Sequence, residues 1–308
     1  MRLASYLPRD GAPGAPRVGV LLADGLLDVT DWVDALPCAP RNPRVPGSTG
    51  SPSSGMLRLL ESGPEALRAL AERVRQPGST EPRLVPLAAV ELLAPIPNPR
   101  KIVAIGRNYA DHAAETGVAA FEKPRIIAKL PNSVVGPGAQ VAIPAGVEKL
   151  DFEVELGVVI GRPAHKVRAD EALAHVAGYT VLNDLSAREF QFDVSPPQTT
   201  FAKSMDGFCP MGPWLVTADE VADPQALELR CAVNGQEMQH ASTAQMIFPV
   251  ARLIEYITGF VTLLPGDVIA TGTPSGVGAF RKPPVWLKPG DRLRLEVSGI
   301  GVLEHTIA

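Results

Sequence analysis

At 308 residues the chain is long enough for one large domain or two ordinary ones, and 45% hydrophobic with 20% charged residues leaves material for a sizeable core. A formal net charge of −4 argues against nucleic acid or an anionic membrane surface as the main partner. The opening MRLASYLPRDGAPG lacks the apolar stretch of a signal peptide, and no run is long and uncharged enough to span a bilayer, so a cytoplasmic protein is expected.

In chain order, VGVLLADGLLDV (18–29) reads as a β-hairpin with Asp24-Gly25 in its turn. The stretch PCAPRNPRVPGSTGSPSS (37–54) has almost no large apolar side chain and is expected to be a long mobile loop or disordered insertion. MLRLLESGPEALRALAERVR (56–75) has helical periodicity interrupted at Gly63, and Pro64 suits the first turn of a second helix. LLAPIPNPRK (92–101) reads as a linker leaving a small N-terminal domain, residues 1–95. Beyond it the texture changes to short strands and turns. KIVAIG, LGVVIG and GYTVLND read as buried strands, Asn234-Gly235 as a tight hairpin turn, and PVARLIEYITGF (249–260) as a helix. Residues 96–308 are therefore expected to form a strand-dominated second domain. Cys38, Cys209 and Cys231 are odd in number and widely spaced, which fits neither a disulfide framework nor a zinc site.

Five stretches carry candidate chemistry. In DFEVEL (151–156), period two puts Asp151, Glu153 and Glu155 on one face of a strand that turns apolar on both faces after Leu156. Carboxylates roughly 6 to 7 Å apart repel by about 2 kcal/mol at an effective dielectric of about 20. The face is then either a solvated edge relieved by Lys149 or a site for a hard divalent cation. In VLNDLSAREFQ (181–191), Asp184 sits at a strand mouth, Ser186 and Glu189 have capping-box spacing, and Arg188 and Gln191 share a helix face. In IGRNYADHAAETG (105–117), Asn108 is a candidate helix cap and Gly117 a stop. His112 and Glu115, three apart, form either a surface pair or an oriented imidazole base. Lys203 precedes a Gly/Pro-rich loop. ATGTPSGVG (270–278) lacks nucleotide-loop spacing, but its amides and the Thr273 hydroxyl are suited to a small carboxylate.

Together, VAIGRNYADHAAE, DFEVELGVVIG, GYTVLNDLSARE with Gln191, AKSMDGFCPMGP, MIFPVARLIEYIT and LLPGDVIATGTPSGVG closely resemble the fumarylacetoacetate hydrolase family. The likeness covers nearly all of residues 96–308, while 1–95 resemble the family's smaller, more variable N-terminal domain. It implies a β-rich α+β fold, with a mixed sheet rolled into a sandwich-like pseudo-barrel, and a homodimer. Glu153 and Glu155 match the family's metal-binding Glu-x-Glu and Asp184 its third ligand, for Mg2+ usually and Mn2+ or Ca2+ in some members. Asp151 either lies behind the ligands or is exposed. Lys203 matches the active-site lysine, Arg188 and Gln191 match residues that bind substrate oxygens, and Thr273 matches a loop residue contacting the bound acid. His112 and Glu115 match a His–Glu dyad on a lid helix. The implied reaction is C–C bond cleavage in a small 2-oxo acid through a metal-stabilised enolate, by acylpyruvate hydrolysis or oxaloacetate decarboxylation. Isomerisation of a 2-oxo-ene or hydroxydiene diacid is the alternative, and an inactive metabolite-binding protein the reading from another class. Gln245 departs from an acidic residue common at that position.

Overall fold

The computed structural model describes residues 1–10, 14–37, 54–75, 84–115, 117 and 121–308, so the Pro/Ser-rich segment expected as a loop lies, apart from its end residues, outside the described residues. The architecture is sheet-rich α+β. A central mixed sheet runs from Leu84–Val85 through Gly25–Asp28, Arg17–Leu22, Arg2–Pro8 and Cys209–Thr217 to Val176–Asn183. It continues through Val154–Ile160, Val268–Ala270 and Ile102–Gly106 to Arg125–Lys129. Neighbours are antiparallel except Val268–Ala270 beside Ile102–Gly106, which run parallel. Residues 2–8 pair with Cys209–Thr217, so the N-terminal strands extend this same sheet. A second sheet orders Gln236–Ser242, Glu228–Val233, Arg292–Val297, Gly301–Ile307 and Gln140–Val141. The two ends of the central sheet are not paired with each other among the described residues, so no barrel closes.

The apolar runs of the central strands follow from burial on both faces. On Val154–Ile160, the alternate residues Val154, Leu156 and Val158 share a core with Leu229, Leu293, Leu295 and Leu303 of the second sheet. Val159 points the other way, into a core built with Leu59, Leu60 and Leu70 of the helices Gly55–Glu61 and Gly63–Arg75. Those helices part where Gly63 takes φ +84°. The Asn234-Gly235 turn has φ 53° and 82°, the pair of positive values that a two-residue hairpin of this hand requires. The first hairpin turns one residue earlier than its sequence indicates: Leu22 pairs with Gly25, leaving Ala23 and Asp24 at the tip.

Candidate active site

The acidic strand is not one continuous ladder. Leu150–Asp151 pair with Ser186–Ala187, Phe152 and Glu153 form an irregular link, and the central-sheet strand begins at Val154. Every residue from 150 to 160 is buried, which excludes the solvated-edge reading. Lys149 gives no relief there and instead pairs with Asp193 at the surface. Pairing of Val154 with Asn183 sets Asp184 beside Glu153, and the Asp184 amide donates to the Glu153 carbonyl at 2.9 Å. Glu153, Glu155 and Asp184 consequently present carboxylate oxygens that all lie within 4.8 Å of one another. Three converging hard oxygen donors suit a divalent cation.

Cations buttress this cluster. Lys203 Nζ donates to Glu153 Oε2 (2.8 Å), Asp184 Oδ2 (2.7 Å) and Ser186 Oγ (2.8 Å). Arg188 donates to Glu153 Oε1 (2.6 Å), Asp151 Oδ2 (2.8 Å) and Gln191 Oε1 (2.8 Å). Asp151 is fully buried rather than exposed, and also accepts from the amides of Gly278 (2.6 Å) and Ala279 (3.0 Å), so it anchors Arg188. Ser186 forms no capping box: its hydroxyl serves Lys203 and the Asp184 carbonyl, while Glu189 accepts from the Glu148 amide. Lys129 was not legible as a site residue. Its ammonium donates to Asp184 Oδ1 (2.7 Å) and to the carbonyls of Phe208 (3.0 Å) and Lys203. A lysine closing the apolar run RIIAK was the available signal.

The charges pull the two glutamates apart. Burial alone would raise the Glu153 carboxyl, but the Lys203 ammonium and then the Arg188 guanidinium outweigh it and hold Glu153 well below the usual range. Glu155 is pushed well above that range by burial, and then by the negative charges of Asp184 and Glu153. The Lys203 charge, and then an amide hydrogen bond from Gly272 (2.8 Å), oppose this only in part. Formally, Asp151, Glu153, Glu155 and Asp184 face Arg188, Lys203 and Lys129, so a proton on Glu155 leaves the buried cluster neutral.

The Gly-rich loop binds the protein's own carboxylates. Besides Gly272 on Glu155 and Gly278 on Asp151, the Gly276 amide donates to Glu115 Oε2 at 3.1 Å, and Ser275 Oγ donates to Asp111 at 2.6 Å. These bonds dock the helix Ala110–Glu115. There His112 Nδ1 lies 2.6 Å from Glu115 Oε1, an arrangement that places the ring proton on Nδ1 and leaves Nε2 basic. Asn108 does not cap this helix. Its side chain instead ties the Phe248 amide and the carbonyls of Phe248 and Thr271. The Thr273 hydroxyl is also engaged internally, donating to the Val154 carbonyl and accepting from Gln239.

A cavity of about 200 Å³ opens onto this assembly. Its walls include His112, Glu153, Asp184, Arg188, Gln191, Lys203 and Thr273; Glu115 and Glu155 stand behind them. Cys209 and Cys231 are buried and free. Burial pushes the Cys209 thiol up to about 12 and raises Cys231 too, so neither supplies a thiolate. Among the described residues no helix is long and apolar enough to cross a membrane.

Residues 101–308 match the family model for the fumarylacetoacetate (FAA) hydrolase C-terminal domain. The chain is 45% identical over 252 residues to the Bos taurus protein named oxaloacetate tautomerase FAHD2A, mitochondrial, covering 82% of this chain and 79% of that one. A crystal structure of a candidate HpcE protein from Mycobacterium smegmatis is 39% identical with a TM-score of 0.82, over 100% of this chain and 99% of that one. Maleylpyruvate hydrolase from Sphingobium sp. SYK-6, solved with manganese(II) and pyruvate, is 31% identical with a TM-score of 0.77, over 100% and 99%. With the family model spanning about two thirds of the sequence and relatives of this similarity over most of its length, the chain belongs to the fumarylacetoacetate hydrolase family.

Proposed function

We propose that the chain is a divalent-metal-dependent enzyme that converts a small 2-oxo acid through its enolate, with keto–enol exchange of oxaloacetate as the first reading. The observation that supports it is one cavity lined by both the buried carboxylate–cation cluster and an oriented imidazole. The bovine relative's name gives the substrate, and the manganese and pyruvate in the Sphingobium hydrolase support the metal and the acid class. Glu153, Glu155 and Asp184 would hold Mg2+ or Mn2+, which when bound supplies a Lewis acid for the 2-oxo group. Lys203 and Arg188 put positive charge where the substrate's oxygens gain negative charge. His112 Nε2 takes a proton from the substrate carbon beside the 2-oxo group and returns one, and Glu115 stabilises the imidazolium in between.

Carbon–carbon bond hydrolysis is the second reading, because the same dyad can take the proton of an attacking water. Oxaloacetate decarboxylation needs the enolate but no base, so it depends less on His112. Proton NMR of the Mg2+-loaded protein with oxaloacetate and with acetylpyruvate separates the three. Faster exchange at the carbon beside the 2-oxo group marks enolisation, acetate plus pyruvate marks hydrolysis, and pyruvate from oxaloacetate alone marks decarboxylation. His112→Ala is expected to slow exchange by about 10²- to 10³-fold while leaving the Mg2+-induced thermal shift intact. An unchanged rate removes the dyad from the reaction.

Glu155 adds a pH signature. A carboxyl raised in the fold contributes stability that is present below its ordinary value of about 4.3 and is lost as pH rises through the raised value. The ion-free protein is therefore expected to weaken toward alkaline pH. Mg2+ is expected to bind with release of about one proton, more tightly as pH rises. Calorimetry of Mg2+ binding in two buffers of different ionisation enthalpy counts that proton, and a count of zero takes Glu155 out of the ligand set.

A further inference from the structure

The cations nearest the carboxylates are engaged with the protein itself: Arg188 and Lys203 each make three contacts to its own side chains. Two more arginines line the same cavity, Arg107 and Arg125. Strand pairing sets Gly106 opposite Arg125, and the Arg125 stem lies across that glycine, 3.2 Å from where a Cβ would stand. The next residue, Arg107, adopts φ 57°, a backbone region that side-chain-bearing residues seldom occupy, and its guanidinium lies 5.6 Å over the Phe121 ring. Among the described residues neither guanidinium has an ion pair or hydrogen bond. Burial, and then the charge of Arg125, hold Arg107 below its ordinary value. Arg107 is half-buried and Arg125 exposed, and with no protein anion beside either, a bound carboxylate gains attraction from both like charges.

We propose that Arg107 and Arg125 form a distal anion subsite that reads the second carboxylate of the substrate, making the cavity selective for 2-oxo dicarboxylates over 2-oxo monocarboxylates. This rests on the 2-oxo acid reading above. The 2-oxo acid end belongs at Glu153, Asp184, Arg188 and Lys203, whose cations neutralise the protein's own carboxylates. The unpaired guanidiniums of Arg107 and Arg125 in the same cavity add attraction only for a ligand that carries a further negative charge. Guanidiniums suit this task because their planar donor fork matches a carboxylate with two hydrogen bonds.

The test is calorimetric binding of pyruvate and of 2-oxoglutarate to the Mn2+-loaded parent and to Arg107→Met and Arg125→Met. The two probes share the 2-oxo acid end and differ in the distal carboxylate. The parent is expected to bind 2-oxoglutarate about tenfold or more tightly than pyruvate, and each variant to lose that margin while pyruvate affinity stays within twofold. Pyruvate binding without any gain for the diacid, or variants that weaken both acids equally, would overturn the subsite and leave the 2-oxo acid reading standing. If neither acid binds the parent, that underlying reading falls and the subsite with it. Because Arg125 is exposed, Arg125→Glu is a second variant compatible with folding, and it is expected to bind the diacid less well than pyruvate.

Discussion

Lys129→Met is expected to lower folding stability by about 3–5 kcal/mol, the range for breaking a buried ion pair by removing one partner. The Lys129 side chain is fully buried, and its ammonium has a partner for each of its three donors: Asp184 Oδ1 and the carbonyls of Phe208 and Lys203. Methionine matches its length but leaves two carbonyls and one carboxylate oxygen without a donor in a dry site. Guanidinium chloride unfolding curves check this: the midpoint should fall with little change in slope. Excess Mg2+ should recover more stability in the variant than in the parent, since the remaining cluster is one positive charge poorer. A loss under about 1 kcal/mol would show that Lys203 alone satisfies Asp184.

Lys203→Met is expected to cut turnover of oxaloacetate by about 10²- to 10³-fold, the scale for deleting one preorganised electrostatic stabiliser. The same change should move the pH profile, and the sign follows from Glu153. Its carboxyl stays ionised to unusually low pH because Lys203, then Arg188, outweigh the effect of burial. Without Lys203 only the Arg188 contact at 2.6 Å remains, so in the ion-free protein Glu153 protonates at higher pH, and protons compete with the metal for this carboxylate up to a higher pH. Lys203→Arg keeps the charge, but a planar fork cannot reproduce three bonds from one nitrogen to Glu153, Asp184 and Ser186, so it should recover little of the rate. A pH–rate profile on parent and both variants checks this. Turnover within threefold of the parent would reduce Lys203 to a structural role.

Much of the fold was legible because its cues are local. Asn234-Gly235 marked a hairpin through the positive φ values it tolerates, and Gly63-Pro64 marked the break between two helices. The cues that misled were local too. Ser186 and Glu189 have the spacing of a capping box, and Asn108 stands where a cap should, yet each side chain is taken by a partner far along the chain. Thr273, suited to holding a ligand by its loop context, does line the cavity, and its hydroxyl also bonds Val154 and Gln239. A long-range partner that satisfies a buried polar group outweighs a cap of about 1 kcal/mol.

The order of the motifs alone was enough to determine the family, the sheet-rich architecture and the acidic segment 151–155, because strand register and motif spacing are written within short stretches. Only the tertiary structure decided that Asp151 supports Arg188, that Lys129 reaches Asp184 across 55 positions, and that Gly276 holds Glu115 across 161. It also decided which glutamate carries the depressed carboxyl and which the raised one, although Glu153 and Glu155 are two residues apart with the same side chain. Coulomb energies and desolvation depend on distance through space and on access to water. Both are set when the sheets pack, so neither can be read from separation along the chain.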